Sequence, residues 1–202
     1  MRTELAIGLR FLVRQPVLRT LVLCGGSYNF FYVMVECLLV AYATRILRLD
    51  VTTTGLVLAV AAIGFPIGTV LAARLVRRLG AGRAVIAGAA LAVSGPLLYP
   101  LATPEQPLPW LISGGLLLGI GQACFNVPYL SLRQSTTPEQ LLGRVNSAFR
   151  FVTWGALPLG SAAAALLVQA TGLRTAVAVA GIASAACLPI LVSNPALRAR
   201  RA

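Results

Sequence analysis

The segment FFYVMVECLLVAY, residues 30–42, holds a single carboxylate, Glu36, among apolar and aromatic side chains. The other acidic residues of the chain are Glu4, Asp50, Glu105 and Glu139, each in a polar stretch beside Arg, Pro or Thr. On a helix, Gly25, Asn29, Tyr32, Glu36 and Ala43 recur at spacings of three, four or seven and form one polar or small stripe. A carboxyl inside an apolar helix is costly unless it faces protein or water. Two chemistries fit it. It can bind and release a proton or attract a cationic group, or it can stay neutral and hydrogen-bond a neighbouring helix.

Two further groupings carry polar chemistry. In WLISGGLLLGIGQACFNVPYLSL, residues 110–132, Gln122, Asn126 and Tyr129 share a helical face, preceded by Gly114, Gly115, Gly119 and Gly121. This pattern suits a cavity wall with substrate-contacting groups. It equally suits a glycine seam with amides as interhelical bonds. Arg150 follows Asn146 by one helical turn and precedes Trp154 by another. It can receive an anionic group, close the mouth of a pathway, or snorkel to lipid headgroups.

Much chemistry is excluded. The chain has no His, so His-ligated metals and His bases are absent. Cys24, Cys37, Cys124 and Cys187 lie in apolar stretches without CxxC spacing and read as small buried hydrophobes. No GxxxxGK[ST] loop occurs, and the single Asp, Asp50, lies in a loop. No enzyme activity, cofactor or metal is expected.

The elements that must position these residues follow from composition. Hydrophobic residues make up 58% of the 202 and charged residues 11%, with mean hydropathy +0.85. A soluble domain has about a quarter of its residues charged, so the chain reads as an all-α integral membrane protein. Punctuation by Arg, Pro and Gly leaves six apolar runs, approximately 18–44, 54–73, 84–102, 109–131, 146–171 and 175–193. Each meets the ~20 residues that a helix needs to cross ~30 Å of hydrocarbon. Counted from Arg19 to Arg45, Glu36 lies about 6 Å beyond the midpoint of the first span. Residues 1–17 read as an amphipathic helix lying on the membrane, and residues 194–202 as a basic tail. The third and sixth spans, almost without polar side chains larger than Ser, are expected to be outer, lipid-facing scaffold.

Six spans put both termini on one side. That side receives Arg2, Arg10, Arg14, Arg19, Arg74, Arg77, Arg78, Arg83, Arg133, Arg144, Arg150, Arg198, Arg200 and Arg201, while the other receives Arg45, Arg48 and Arg174. The positive-inside rule places the termini in the cytoplasm of a cell that carries the protein in its inner or plasma membrane. The net charge of +12 is thereby explained by topology, and nucleic acid is not an expected partner.

Residues 66–85, PIGTVLAARLVRRLGAGRAV, match residues 158–177, PLGSAAAALLVQATGLRTAV, at a constant offset of 92 without gaps. Pro66/Pro158, Gly68/Gly160, Ala72/Ala164, Ala73/Ala165, Leu75/Leu167, Val76/Val168, Gly80/Gly172, Ala84/Ala176 and Val85/Val177 are identical. Ala, Leu and Gly are common enough here to match by chance, but a paired Pro-x-Gly and a shared turn Gly are not. Three spans apart, the copies cross in opposite senses, which predicts a three-plus-three inverted repeat.

That architecture, with ARLVRR at residues 73–78, resembles one half of a major facilitator superfamily transporter. The motif is similar to the superfamily's D-R-x-G-R-R loop. Arg74, Arg77 and Arg78 match it, whereas Ala73 and Val76 replace its Asp and Gly. The resemblance implies a cytoplasmic gate or interface formed by these arginines, with Arg150 a further candidate. The stretches GLRFLVRQPVLR (residues 8–19) and LRQSTTPEQLLGRVNSAFRFVTWGALPLG (residues 132–160) are similar to the siderophore-exporter and macrolide-efflux branch, in its C-terminal half. In that family the first and fourth helices of each half line the central cavity. The resemblance therefore implies cavity positions for Asn29, Tyr32, Gln122, Asn126 and Tyr129, and a proton-coupling role for Glu36 in efflux of a small amphipathic compound.

Half the usual length implies a partner, either a separate six-helix half or a second copy. Beginning at a linker-like stretch, the chain resembles a severed half more than an evolved dimer. The competing expectation is a truncated membrane scaffold that transports nothing. Within 137–144, TPEQLLGR reads as a short surface helix with Thr137 as N-cap and Pro138 at its first position.

Overall fold

A computed structural model of the chain describes residues 2–198, with the side chains of residues 6–198. The expected tail residues Arg200 and Arg201, and the side chains of Arg2 and Glu4, lie outside the described set. Secondary structure among the described residues is entirely helical. In order they are α1 (Arg2–Arg14), α2 (Pro16–Ala41, prolonged by a π-helical stretch Tyr42–Ile46), α3 (Val51–Leu79), α4 (Ala81–Ser94), α5 (Leu108–Ser135), α6 (Leu142–Thr171), α7 (Leu173–Ser184), α8 (Cys187–Val192) and α9 (Pro195–Arg198). Six stretches are long and apolar enough to span a membrane: Pro16–Ile46, Val51–Leu79, Ala81–Leu101, Leu108–Ser135, Glu139–Thr171 and Leu173–Val192.

The helix boundaries follow the local chemistry. Pro16 opens α2, where its missing N–H costs nothing. Asp50 caps α3 by accepting from the Thr53 amide at 3.0 Å and the Thr53 hydroxyl at 2.5 Å. The third span runs as α4 only to Ser94. Pro96 and Pro100 turn the remainder, Pro96–Leu101, into a 3₁₀ helix. The sixth span breaks correspondingly between α7 and α8.

The repeat is visible in the backbone. Gly80 (φ 81°, ψ 159°) ends α3 and starts α4, and Gly172 (φ 79°, ψ 162°) does the same between α6 and α7. Positive φ of this kind is open to Gly and strained for residues with a Cβ. Gly68 of α3 lies against the Ile120 carbonyl of α5, while Gly160 of α6 lies against the Phe30 carbonyl of α2. Ala72 and Ala164 are both buried one turn later. The fold is thus two three-helix units interlocked, with α3 on α5 and α6 on α2.

Several expectations change. The segment from Thr137 forms no separate surface helix: Glu139–Leu141 is a single 3₁₀ turn running directly into α6. Thr137 donates back to the Arg133 carbonyl at 2.7 Å, closing α5 in place of capping the 3₁₀ turn. Arg74, Arg77 and Arg78 do not sit in a loop, since α3 continues through them to Leu79. All three are exposed on its last turns. The third span is not peripheral either. Half of its most apolar window is buried, against 22% for the second span and 17% for the fifth. Gly88 lies on the Cys124 carbonyl, Ala92 on Gly121 and Gly95 on the Gly114 carbonyl. Small side chains there serve close backbone approach, not lipid contact.

The chain ends are anchored as well. Leu12 of α1 is buried, and Gly8 lies on the Arg144 carbonyl at the start of α6. Asn194 bonds the Pro16 carbonyl at 3.2 Å and the Thr20 hydroxyl at 2.9 Å. Arg83 donates to the Arg198 carbonyl at 2.7 Å. The beginning of the expected tail is therefore docked.

Candidate functional site

Apolar side chains form two cores, one toward each end of the bundle. The first gathers Leu18, Leu21, Tyr28, Phe125, Tyr129 and Phe149; the second gathers Met34, Leu38, Tyr42, Tyr99, Leu111 and Val177. The polar stripe of α2 runs from one core toward the other and meets different surroundings at each step. Gly25 lies under the Tyr129 hydroxyl, which donates to the Leu21 carbonyl at 3.0 Å. Asn29 donates to the Thr153 carbonyl of α6 at 2.9 Å. Ala43 is buried in the second core. Between them, Tyr32 and Glu36 open into a cleft.

That cleft, about 650 Å³, is bounded by α2, α3, α5 and the 3₁₀ end of the third span. Tyr32 donates to the Glu36 carboxylate, one turn apart on the same helix. Gln122 of α5 lines the same cleft beside the Tyr32 side chain. Leu58, Ala61, Ala62 and Phe65 of α3 and Tyr99 supply apolar and aromatic walls. Glu36 is exposed on this face, and its bonded partner is on its own helix, not a neighbouring one. The arrangement offers one acid, two phenols and one amide within otherwise apolar walls. It suits proton exchange together with loose contact to an amphipathic molecule.

The structure thus brings together Tyr32, Glu36 and Gln122, and separates the other candidates from them. Asn29 and Tyr129 are engaged as interhelical bonds. Asn126 is half-buried outside the cleft. The glycines of α5 form a seam: Gly115 and Gly119 meet Ala61 of α3, and Gly114 and Gly121 face the third span. Cys37, expected to be buried, is exposed on the cleft, whereas Cys24, Cys124 and Cys187 are buried; all are free thiols. The α3 wall and Tyr99 are not evident from sequence because apolar residues lining a cleft look like any other apolar residues. Only the repeat could have pointed to α3.

On the other side of α2 lies a second cleft, about 910 Å³, between α2 and α6. Arg150 and Ser147 line one end and Leu159 the other, with Gly26, Ser27, Trp154 and Gly155 between. The Arg150 guanidinium stands over the Trp154 ring at 5.4 Å. Arg133, at the end of α5, lies over Phe149 at 4.7 Å.

Six spans in two interlocked triplets define half of a twelve-helix transporter fold, and the comparisons agree. The sequence model of the Major Facilitator Superfamily matches residues 5–201. The chain belongs to this superfamily and is a multi-pass membrane protein. It is 29% identical over 190 residues to an uncharacterized MFS-type transporter, y4rN, of Sinorhizobium fredii. The match covers 93% of this chain and 46% of that protein, so the chain spans about half of its relative's length. A crystal structure of a bacterial homologue of the iron transporter ferroportin, in an outward-facing state, superposes with a TM-score of 0.70 at 24% identity. The superposition covers 92% of this chain and 46% of that one. That likeness carries the fold.

Proposed function

We propose that the chain is one half of a proton-coupled efflux transporter of the siderophore-exporter and macrolide-efflux type. It moves a small amphipathic compound by alternating access across a cell membrane, with both termini cytoplasmic. The observation that carries this reading is the Tyr32–Glu36–Gln122 cleft. A lone acid, already held by a phenol, stands exposed among apolar and aromatic walls on a face that its own helices leave uncovered. Asn29 and Tyr129 support the cavity wall by bonding α2 to α6 and α5 to α2, and Asn126 remains a further wall candidate.

A further six-helix half completes the cavity. Exposed faces of α3 (Leu56, Ile63, Ile67, Val70) and α6 (Phe151, Leu159, Leu166) support this, since both helices are poorly buried within the triplets. Arg74, Arg77 and Arg78 on the last turns of α3 and Arg150 on α6 then serve the cytoplasmic gate or interface. The test is proton-driven efflux of a fluorescent amphipathic dye from inverted vesicles containing the assembled transporter. Glu36→Gln should abolish the dependence on the proton gradient while facilitated dye exchange continues. Equal proton-driven efflux by both forms would end the reading. Maleimide labelling of Cys37, beside Glu36, should be blocked by bound dye.

A further inference from the structure

Tyr28 of α2 is 6% exposed, and its hydroxyl is buried with no hydrogen-bond partner among the described residues. Burying a hydroxyl unbonded costs as much as losing a hydrogen bond, so such a group points to something that completes it. The ring is held by two others. Phe125 of α5 stacks on it at 5.0 Å, and Tyr32, one turn along α2, lies at 6.0 Å with 13° between the planes.

Tyr28, Tyr32 and Ser184 line one small pocket, with Val35, Val93 and Leu118 among its apolar walls. It lies where the sixth span breaks between α7 and α8 and the third span turns at Pro96. About 10 Å³ is open to the centre of a water molecule, the room for one. The three hydroxyls differ in what they can still do. Tyr32 donates to Glu36, and Ser184 donates to the Gly181 carbonyl at 2.6 Å. Both oxygens keep lone pairs and can only accept, whereas Tyr28 still has its proton to give. A single water can accept from Tyr28 and donate to Tyr32 and Ser184. That makes three bonds, the usual number for a buried water. Two O–H···O bonds of ~2.8 Å span about 5.6 Å, close to the spacing of the two tyrosine rings.

We infer that this pocket is a binding site for one ordered water, and that Tyr28, acting through that water and Tyr32, is a positioning residue for Glu36. A phenol whose oxygen accepts a bond donates more strongly, by about 10–30% in a hydrogen-bonded chain. The water therefore tightens the Tyr32–Glu36 bond from behind and orients the carboxyl in the cleft. The bonds run inward from the cleft to the break in the sixth span. This inference stands on the pocket and the Tyr32–Glu36 contact and not on efflux or proton coupling, so either can fail alone.

The first test is thermal unfolding of the full chain in detergent. Tyr28→Phe keeps the ring and its stacking and removes only the oxygen. With the water bound, it should lower the unfolding temperature by about 2–4 °C. Loss of an unpaired hydroxyl would instead be neutral or stabilising. Ser184→Ala should also lower it, and the double variant should fall short of the sum, since both residues hold one molecule. Infrared spectroscopy reads the positioning. The Glu36 carboxyl band, assigned by its loss in Glu36→Gln, should rise in frequency in Tyr32→Phe. In Tyr28→Phe it should rise by about 10–30% of that displacement. A packing role alone would leave the band in place. An unchanged or raised unfolding temperature in Tyr28→Phe, additive losses in the double variant, or an unmoved band would each overturn the inference.

Discussion

The α3–α5 and α2–α6 crossings are built on the same repeated pattern, yet one is shut and the other open. In the first, Gly64 and Gly68 lie on α5 backbone, and Gly115 and Gly119 receive Ala61. In the second, only Gly160 keeps that approach, while Ala156 and Asn29 act as spacers. Two changes of side-chain size thus separate a sealed seam from a groove about 910 Å³ in volume. The charges differ in the same way. Around the closed pair the cleft takes its acid from α2, with Leu58 and Ala62 as wall. At the positions equivalent to these, the open pair presents Arg150 and Trp154. A symmetric scaffold thus carries an acid in one cleft and a guanidinium in the other.

The contrast can be broken most severely at Gly68. Gly68→Leu must displace the Ile120 carbonyl and Ala123, at a cost on the order of 3 kcal/mol or more. It should abolish the yield of monodisperse protein on size-exclusion chromatography, whereas Gly155→Leu on the open crossing should purify normally. A milder version uses one methyl. Gly64→Ala should lower stability by about 1–3 kcal/mol in detergent unfolding. Removing the spacer comes next: Asn29→Ala should cost about 1 kcal/mol, through the lost bond to Thr153. At the other extreme, Gly155→Ala should raise stability by about 0.5–1 kcal/mol, because a helical alanine meets open space. If Gly64→Ala and Gly155→Ala shift stability equally, the two crossings do not differ as described.

The smallest expected effect lies outside both crossings. Bonds from the Thr53 amide and hydroxyl hold the Asp50 carboxyl below its ordinary value. A depressed native value means that this cap stabilises the fold above the usual carboxylate range and loses its contribution as the pH falls through the native value. Asp50→Asn keeps a capping oxygen but does not titrate. It should therefore show a slightly shallower fall in melting temperature between about pH 5 and pH 3.

Much of the fold was legible because it rests on properties that a sequence carries linearly. Six apolar runs separated by Arg, Pro and Gly become six helices, since an unpaired backbone cannot be left in hydrocarbon. The offset between Gly80 and Gly172 exposes the repeat, because few other residues accept that φ. Small-residue content misled at the third span. Ala and Gly look featureless along a chain, but on a helix face they permit contact with α5 that bulkier residues would prevent. The stripe on α2 lies along one side of the helix but meets several environments. Periodicity reports direction around a helix, not what stands opposite.

Composition and pattern by themselves determined a membrane protein of six helices in two matched triplets, with Glu36 on the polar face of the first. These are consequences of transfer free energy and helical period, which act residue by residue. Tertiary structure alone decided that Tyr32 and Gln122 join Glu36 while Asn29 and Tyr129 bond neighbouring helices, and that α2 parts from α6 while α3 closes on α5. Those outcomes depend on which backbone each side chain meets across a crossing, and a few ångströms of interhelical distance are set by both partners together.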